Sequence, residues 1–219
     1  MKTIKKFKWV LALLCIILNT KSILAQSKED IFDKKVPVIW LGLDYSQARL
    51  INPTTVNKNY QEVTNAAFIK TYVPAWNYLF IIEPKKYDVA KAIHRDSVDY
   101  ALDVTEKANK GISITKDIFT HNTSYKLLTE QNISDLVNNY DFQGKTGIGL
   151  LFFIEEMSTV DANEGAWVTF VDMKSKTVLL TMYLKGKTGG MGFRNNWADA
   201  TFHILQQLGS DKRWINKTP

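Results

Sequence analysis

The sequence predicts an α/β (or α+β) fold: a single layered domain, with a mixed sheet of about five strands and helices packed on it. Three observations predict it. Residues 36–43 and 148–154 are continuous apolar runs, the pattern of strands buried on both faces. Residues 167–173 and 177–184 flank Lys174-Ser175-Lys176 as the two arms of a hairpin. The segments between and after these runs repeat apolar residues every three or four positions, as helix faces do.

In chain order, the run at 36–43 opens with Pro37 near its start and ends at Asp44-Tyr45-Ser46. A helical pattern follows from Val63 through Trp76 to Phe80, which Pro74 should break or kink. Pro84 restarts a helix over 85–93. Val98, Tyr100, Leu102 and Val104 alternate with polar residues and predict a half-exposed strand. A short helix then places Ile133, Leu136, Val137 and Tyr140 on one face, capped by Thr129 or Asn132. The run at 148–154 and the hairpin come next. The last helix is expected to start at an Asn196 cap and stop at Gly209, with Trp197, Thr201, Ile204, Leu205 and Leu208 inward. The expected order is β-α-α-β-α-β-β-β-α.

Residues 1–25 read as a secretory signal peptide, leaving 26–219 as the domain. Lys2, Lys5, Lys6 and Lys8 precede ten apolar residues, too few to span a bilayer, and Ser22-Ile23-Leu24-Ala25 places cleavage before Gln26. The leader also accounts for the charge. The chain has 28 Lys and Arg against 22 Asp and Glu, but five lysines and no acid lie in the first 25 residues. The rest carries 23 against 22, a balance of +1, which argues against a nucleic-acid partner. No later run is long and apolar enough to cross a membrane. Cys15 leaves with the leader, so the mature chain has no disulfide, thiolate ligand or cysteine nucleophile.

Several motifs fail on inspection. Gly-Lys-Thr occurs at 144–146 and 186–188, but Asn139 and Thr181 stand where a phosphate loop needs its first glycine. Ser113-Ile114-Thr115-Lys116, Ser134-Asp135 and Lys187-Thr188-Gly189 imitate the boxes of penicillin-recognising enzymes; Ser113 reads as strand-like, and Leu136 replaces the asparagine. His94, His121 and His203 stand apart, so no metal site and no cofactor is expected. Glu155 and Glu156 read as the place where a strand reaches water, with a cation or acid/base pairing to Asp161 or Glu164 as the sharper option. One segment stands above this background. Lys187, Gly189, Gly190, Gly192, Arg194 and Asn195 precede or open the last helix, where backbone N–H groups attract anions. Asp44 and Ser46 could face them at strand carboxyl ends. A tight strand-to-helix connection explains the same glycines without any ligand.

Gly42-Leu43-Asp44-Tyr45-Ser46, Trp76-Asn77, Glu83-Pro84-Lys85-Lys86-Tyr87-Asp88, Gly147-Ile148-Gly149-Leu150 and residues 189–197 (GGMGFRNNW) resemble a family of uncharacterised exported proteins of Bacteroidetes-type bacteria. The likeness runs over about residues 36–208 and brings no catalytic residues to carry over. The hairpin before a glycine loop and final helix is more loosely similar to the α/β domain of outer-membrane factors, the curli secretion protein and the penicillin-binding-protein activators. The leader, the near-neutral charge of the remaining chain and the lack of a complete catalytic constellation point to an exported, soluble, non-enzymatic protein of the cell envelope, periplasmic or extracellular. It would act as a binding or assembly module for an envelope protein or small ligand. The alternative is an anion- or small-molecule-binding protein, or an enzyme, built on the loop at 186–196 with Asp44 and Ser46.

Overall fold

A computed structural model describes residues 25–52, 63–116, 118–122 and 125–215. Residues 1–24 of the leader, Cys15 among them, lie outside that set. The described residues form a mixed α/β domain around one seven-stranded sheet. Strand β5 (Ile148–Ser158) is its axis, buried at every position. One edge of β5 carries the antiparallel hairpin β6 (Asn163–Asp172) and β7 (Thr177–Lys187). The other edge is shared by β1 (Val38–Asp44) and β2 (Arg49–Ile51), both parallel to β5 and placed end to end. Two-residue strands extend each of them: β3 (Asp99–Tyr100) beside β1 and β4 (Phe119–Thr120) beside β2. Seven strands therefore occupy five columns, in keeping with the five expected.

Alternation along β5 divides the core. Leu150, Phe152 and Ile154 face one apolar cluster, and Leu151 and Phe153 face the other. On the first face pack α1 (65–82), α2 (Val89–Ala92) and α5 (Gly192–Gly209); on the second pack α3 (Asp103–Lys110) and α4 (Glu130–Asn138). A last short helix, α6, spans Lys212–Ile215.

Several expectations change in detail. Pro74 does not break α1. A π turn over Phe68–Tyr72 precedes it, with the Val73 N–H reaching back to the Phe68 carbonyl, and the helix runs on through Ile82. The strand expected over 98–104 shortens to β3, because Asp103 and Glu106 open α3 and turn Val104 and Thr105 into its inward face. Ser113 lies in a turn, not a strand, and its hydroxyl bonds Thr115 at 2.7 Å. Asn196 is inside α5; the helix starts at Gly192, whose φ of +80° suits glycine, and Met191 is the cap residue. Thr129 does cap α4, in a reciprocal box with Asn132.

Beyond β3 the outer edge of β1 has no strand partner among the described residues, and side chains take the strand's place. The Thr105 hydroxyl donates to the Leu41 carbonyl at 2.6 Å. Asn77 accepts from the Leu43 N–H at 2.7 Å and donates to the Leu43 carbonyl at 3.0 Å. Asn109 donates to that same carbonyl at 2.8 Å and accepts from the Tyr45 N–H at 2.8 Å. Gly42, at φ +105°, leaves the space these side chains occupy. Buried backbone groups must be paired, and here α1 and α3 pair them.

Candidate functional site

Asp44 ends β1 fully buried. Its Oδ2 accepts from the Tyr140 hydroxyl at 2.6 Å and its Oδ1 from the Ser46 N–H at 2.6 Å. Burial raises the Asp44 pKa, more than the bonds from Tyr140 and Ser46 and the nearby Lys116 lower it. Burial likewise pushes the Tyr140 phenol far up, with the Asp44 charge adding to it. Lys116 donates to the Ser46 carbonyl, and burial lowers its own pKa. Beside this knot lies a cleft of about 480 Å³ bounded by Ser46, Gln47, Asn132, Asp135 and Asn139. The Asp44 carboxyl lines its floor, and with one bond on each oxygen it ties the end of β1 to Tyr140, just past α4.

The glycine segment is on the other face of the sheet. Gly186 and Lys187 belong to β7, and a Cβ on Gly186 would lie 1.9 Å from the Ala200 carbonyl oxygen of α5. On Gly189 it would lie 2.5 Å from Asp199 Oδ2, and on Gly190 2.3 Å from the Asn195 carbonyl oxygen. The His203 ring donates to the Lys187 carbonyl at 2.7 Å, the Arg194 carbonyl accepts from Trp76 Nε1 at 2.8 Å, and the Arg194 guanidinium reaches Asn195 Oδ1 at 3.3 Å. The room the glycines leave is filled by helix backbone and by a carboxylate. Asp44 turns to Tyr140 in the second cluster, whereas Phe193 and Trp197 carry Arg194 and Asn195 on the first, so no contact joins Asp44 and Ser46 to Lys187, Gly189, Gly190, Gly192, Arg194 or Asn195 among the described residues.

The glutamates at the end of β5 do not reach water. A bulge after Ile154 inserts Glu155, and both Glu155 and Glu156 are buried. Glu155 accepts from the Leu128 N–H at 2.6 Å and from Trp167 Nε1 at 2.8 Å. Glu156 accepts from the Tyr183 hydroxyl at 3.0 Å and pairs with Lys185 at 2.8 Å. Asp161 instead accepts from Ser158 at 2.9 Å. Glu164, buried on the α5 face, accepts from the Thr201 hydroxyl at 2.9 Å, and its Oε2 meets no donor among the described residues. Burial raises its pKa to about 8.

Sequence reasoning missed what α1 presents outward. In Val73–Ile82, which has no charged residue, the one amide side chain, Asn77, faces inward onto β1, while the solvent side carries Pro74, Tyr78, Ile81 and Ile82. Tyr78 is 56% exposed, Ile82 50% and Ile81 45%. A helix apolar all round belongs in an interior, and this one has an uncovered side. Between α1 and α3 runs a groove of about 530 Å³, walled by Ile69, Val73, Leu102 and Ile112, with Tyr78 and the 52% exposed Ile114 at its mouth.

Compared with protein families, curated proteins and solved structures, the chain has no match.

Function is therefore read from the residues. The polar groups on the groove floor, Asn77 and Asn109, are consumed by β1, so the groove offers apolar contact rather than strand addition. Lys70, Lys110 and Glu106 stand at its rim, with Lys110 paired to Glu106 at 2.7 Å. Among the described residues no cluster of His, Cys, Asp and Glu has the makings of a metal site, and no helix is long and apolar enough to cross a membrane.

Proposed function

We propose that this is an exported, non-enzymatic binding module of the cell envelope, and that it binds through the outward side of α1 and the α1/α3 groove. The observation that carries the reading is the inverted polarity of Val73–Ile82: its one amide side chain points in, and its solvent side carries two isoleucines, Pro74 and the Tyr78 ring. Covering Tyr78, Ile81, Ile82 and Ile114 would contribute about 1 kcal/mol each. The occupant is an amphipathic helix of a partner protein, with acidic residues beside its apolar stripe. A helix fits because Asn77 and Asn109 on the floor are already committed to β1, and acidic flanks answer Lys70, since Lys110 is paired with Glu106. A protein segment is favoured over a lipid surface because the apolar residues Val73, Leu102 and Ile112 line a recess between two helices and not a flat face. Export rests on the leader and on the family resemblance. An anion cradle at 186–196 has less behind it, since Asp199 fills the place beside Gly189.

The test uses 1-anilinonaphthalene-8-sulfonate and two designed amphipathic helical peptides, one with acidic and one with basic flanks. Wild type should bind the dye and prefer the acidic peptide, and Tyr78→Glu and Ile114→Glu should each weaken both by about tenfold. Equal binding by wild type and both variants, preference for the basic peptide, or flotation on anionic vesicles in place of peptide binding would overturn the reading.

A further inference from the structure

The Gln26 backbone N–H is held by a carboxylate far away in the chain. The leader pattern places cleavage between Ala25 and Gln26. Ala25 is exposed and Gln26 half-buried. The Gln26 N–H donates to Asp172 Oδ2 at 3.1 Å, across 146 residues of chain. Asp172 ends β6 and is only 3% exposed. Its Oδ1 is occupied by the N–H groups of Lys174 at 2.9 Å and Ser175 at 3.4 Å, which turns Oδ2 toward Gln26. Burial alone would raise the Asp172 pKa, but the Ser175 hydroxyl and the N–H groups of Gln26, Lys174 and Ser175 outweigh it and hold the carboxyl below its usual range.

The segment behind Gln26 is fastened rather than loose. Ser27 N–H donates to Asp30 Oδ2 at 2.7 Å, and Ile31 is fully buried. The Arg95 guanidinium donates to the carbonyls of Val36 at 2.7 Å, Ile31 at 2.8 Å, Asp30 at 3.4 Å and Asp33. A chain cut before Gln26 therefore keeps its new end against Asp172.

We propose that Asp172 is a built receiving site for the α-ammonium group that cleavage after Ala25 leaves on Gln26. The inference rests on the exported reading above. A leader-removing endopeptidase adds water across the bond: hydroxyl goes to the Ala25 carbonyl carbon, hydrogen to the Gln26 nitrogen. The amine then takes a proton from solvent. One neutral N–H donor becomes three donors carrying a positive charge, facing a buried carboxylate. Other charges on the surrounding elements include Lys28, Glu29, Asp30, Asp33, Lys34 and Lys35 on the segment, Arg95 bonded to its carbonyls, Lys174 and Lys176 on the β6–β7 turn, and Lys145 before β5, which pairs with Asp103 at 2.9 Å. Asp172 is the one whose carboxyl oxygen meets the Gln26 nitrogen.

Two measurements separate this site from the exported reading. Intact mass of the exported protein reports whether the chain starts at Gln26; a retained leader overturns export. The site itself is tested on a chain starting at Gln26, prepared by protease removal of a leading tag, against Asp172→Asn and a chain that keeps Ala25. The pH dependence of α-amine acylation should place the wild-type amine about one pH unit or more above the ordinary 7.7–8.0, slowing acylation about tenfold at neutral pH. Both comparison chains should return to the ordinary range. Closure of Gln26 onto its own side-chain amide, with loss of ammonia, removes the charge and should lower the thermal midpoint as Asp172→Asn does. An ordinary α-amine pKa in the wild type, or the same value in Asp172→Asn, overturns the proposal.

Discussion

Replacing Gly42 with alanine perturbs the point where α1 and α3 substitute for a missing strand. The added Cβ would lie 2.5 Å from Asn77 Oδ1, 2.5 Å from Thr105 Oγ1 and 3.1 Å from Leu102 Cδ2. None of these can withdraw cheaply. If Thr105 moves, the Leu41 carbonyl is left without its bond; if Asn77 moves, both backbone groups of Leu43 lose theirs. Each buried polar group left unpaired costs about 1–3 kcal/mol. Holding a residue with a Cβ at φ +105° adds about 1–3 kcal/mol. Asn109 still reaches the Leu43 carbonyl, so not every bond is lost. The expected loss is about 3–6 kcal/mol, a large part of what a domain of this kind has to lose. Urea denaturation followed by circular dichroism measures it as a lower midpoint at unchanged slope. A loss under about 1 kcal/mol would refute the account of the β1 edge. Asn77→Ala gives an independent reading, expected at about 1–3 kcal/mol.

Other outcomes follow from the same packing. Glu164 has a pKa of about 8 when folded against 4.5 for a free glutamate, so its contribution is fully present below pH 4.5 and is lost as pH rises to about 8. In that window stability should fall by about 1.4 kcal/mol per pH unit, and Glu164→Gln should flatten the thermal midpoint; an unchanged slope in the variant would dismiss it. Gly190→Ala, whose Cβ meets the Asn195 carbonyl at 2.3 Å, should cost more than about 2 kcal/mol. Arg194→Ala should cost under about 0.5 kcal/mol by the same denaturant measurement; a phosphate- or sulfate-dependent stabilisation lost in Arg194→Ala would instead revive the anion reading. Arg95→Met should cost about 2–4 kcal/mol by taking the guanidinium donor from the Ile31 and Val36 carbonyls. Limited proteolysis should then cut first within residues 26–36, and a wild-type cleavage pattern would contradict that.

The strands that form the sheet's centre were readable because their own composition suffices. A run such as residues 148–154 has no polar side chain to offer water, so it can only be interior, and Lys174-Ser175-Lys176 between apolar arms can only be a turn. Thr129 at the start of α4 was readable for the same reason, since a cap acts on N–H groups three residues away. What misled was any residue whose state depends on distant partners. Glu155 and Glu156 look solvated until Leu128, Trp167, Tyr183 and Lys185 are brought to them across the sheet. Val104 reads equally well as strand or helix over so few residues, and only packing beneath β1 makes it helical. Gly186, Gly189 and Gly190 look like part of a ligand loop until α5 fills the space they leave; Gly192 serves its positive φ instead. The uncovered side of α1 is the clearest case. Residues 73–82 are apolar at nearly every position, so their sequence cannot say which side the sheet will bury. Asn77 decides it: its amide is drawn inward by the unpaired backbone of Leu43, and that turn of the helix leaves Tyr78, Ile81 and Ile82 facing water.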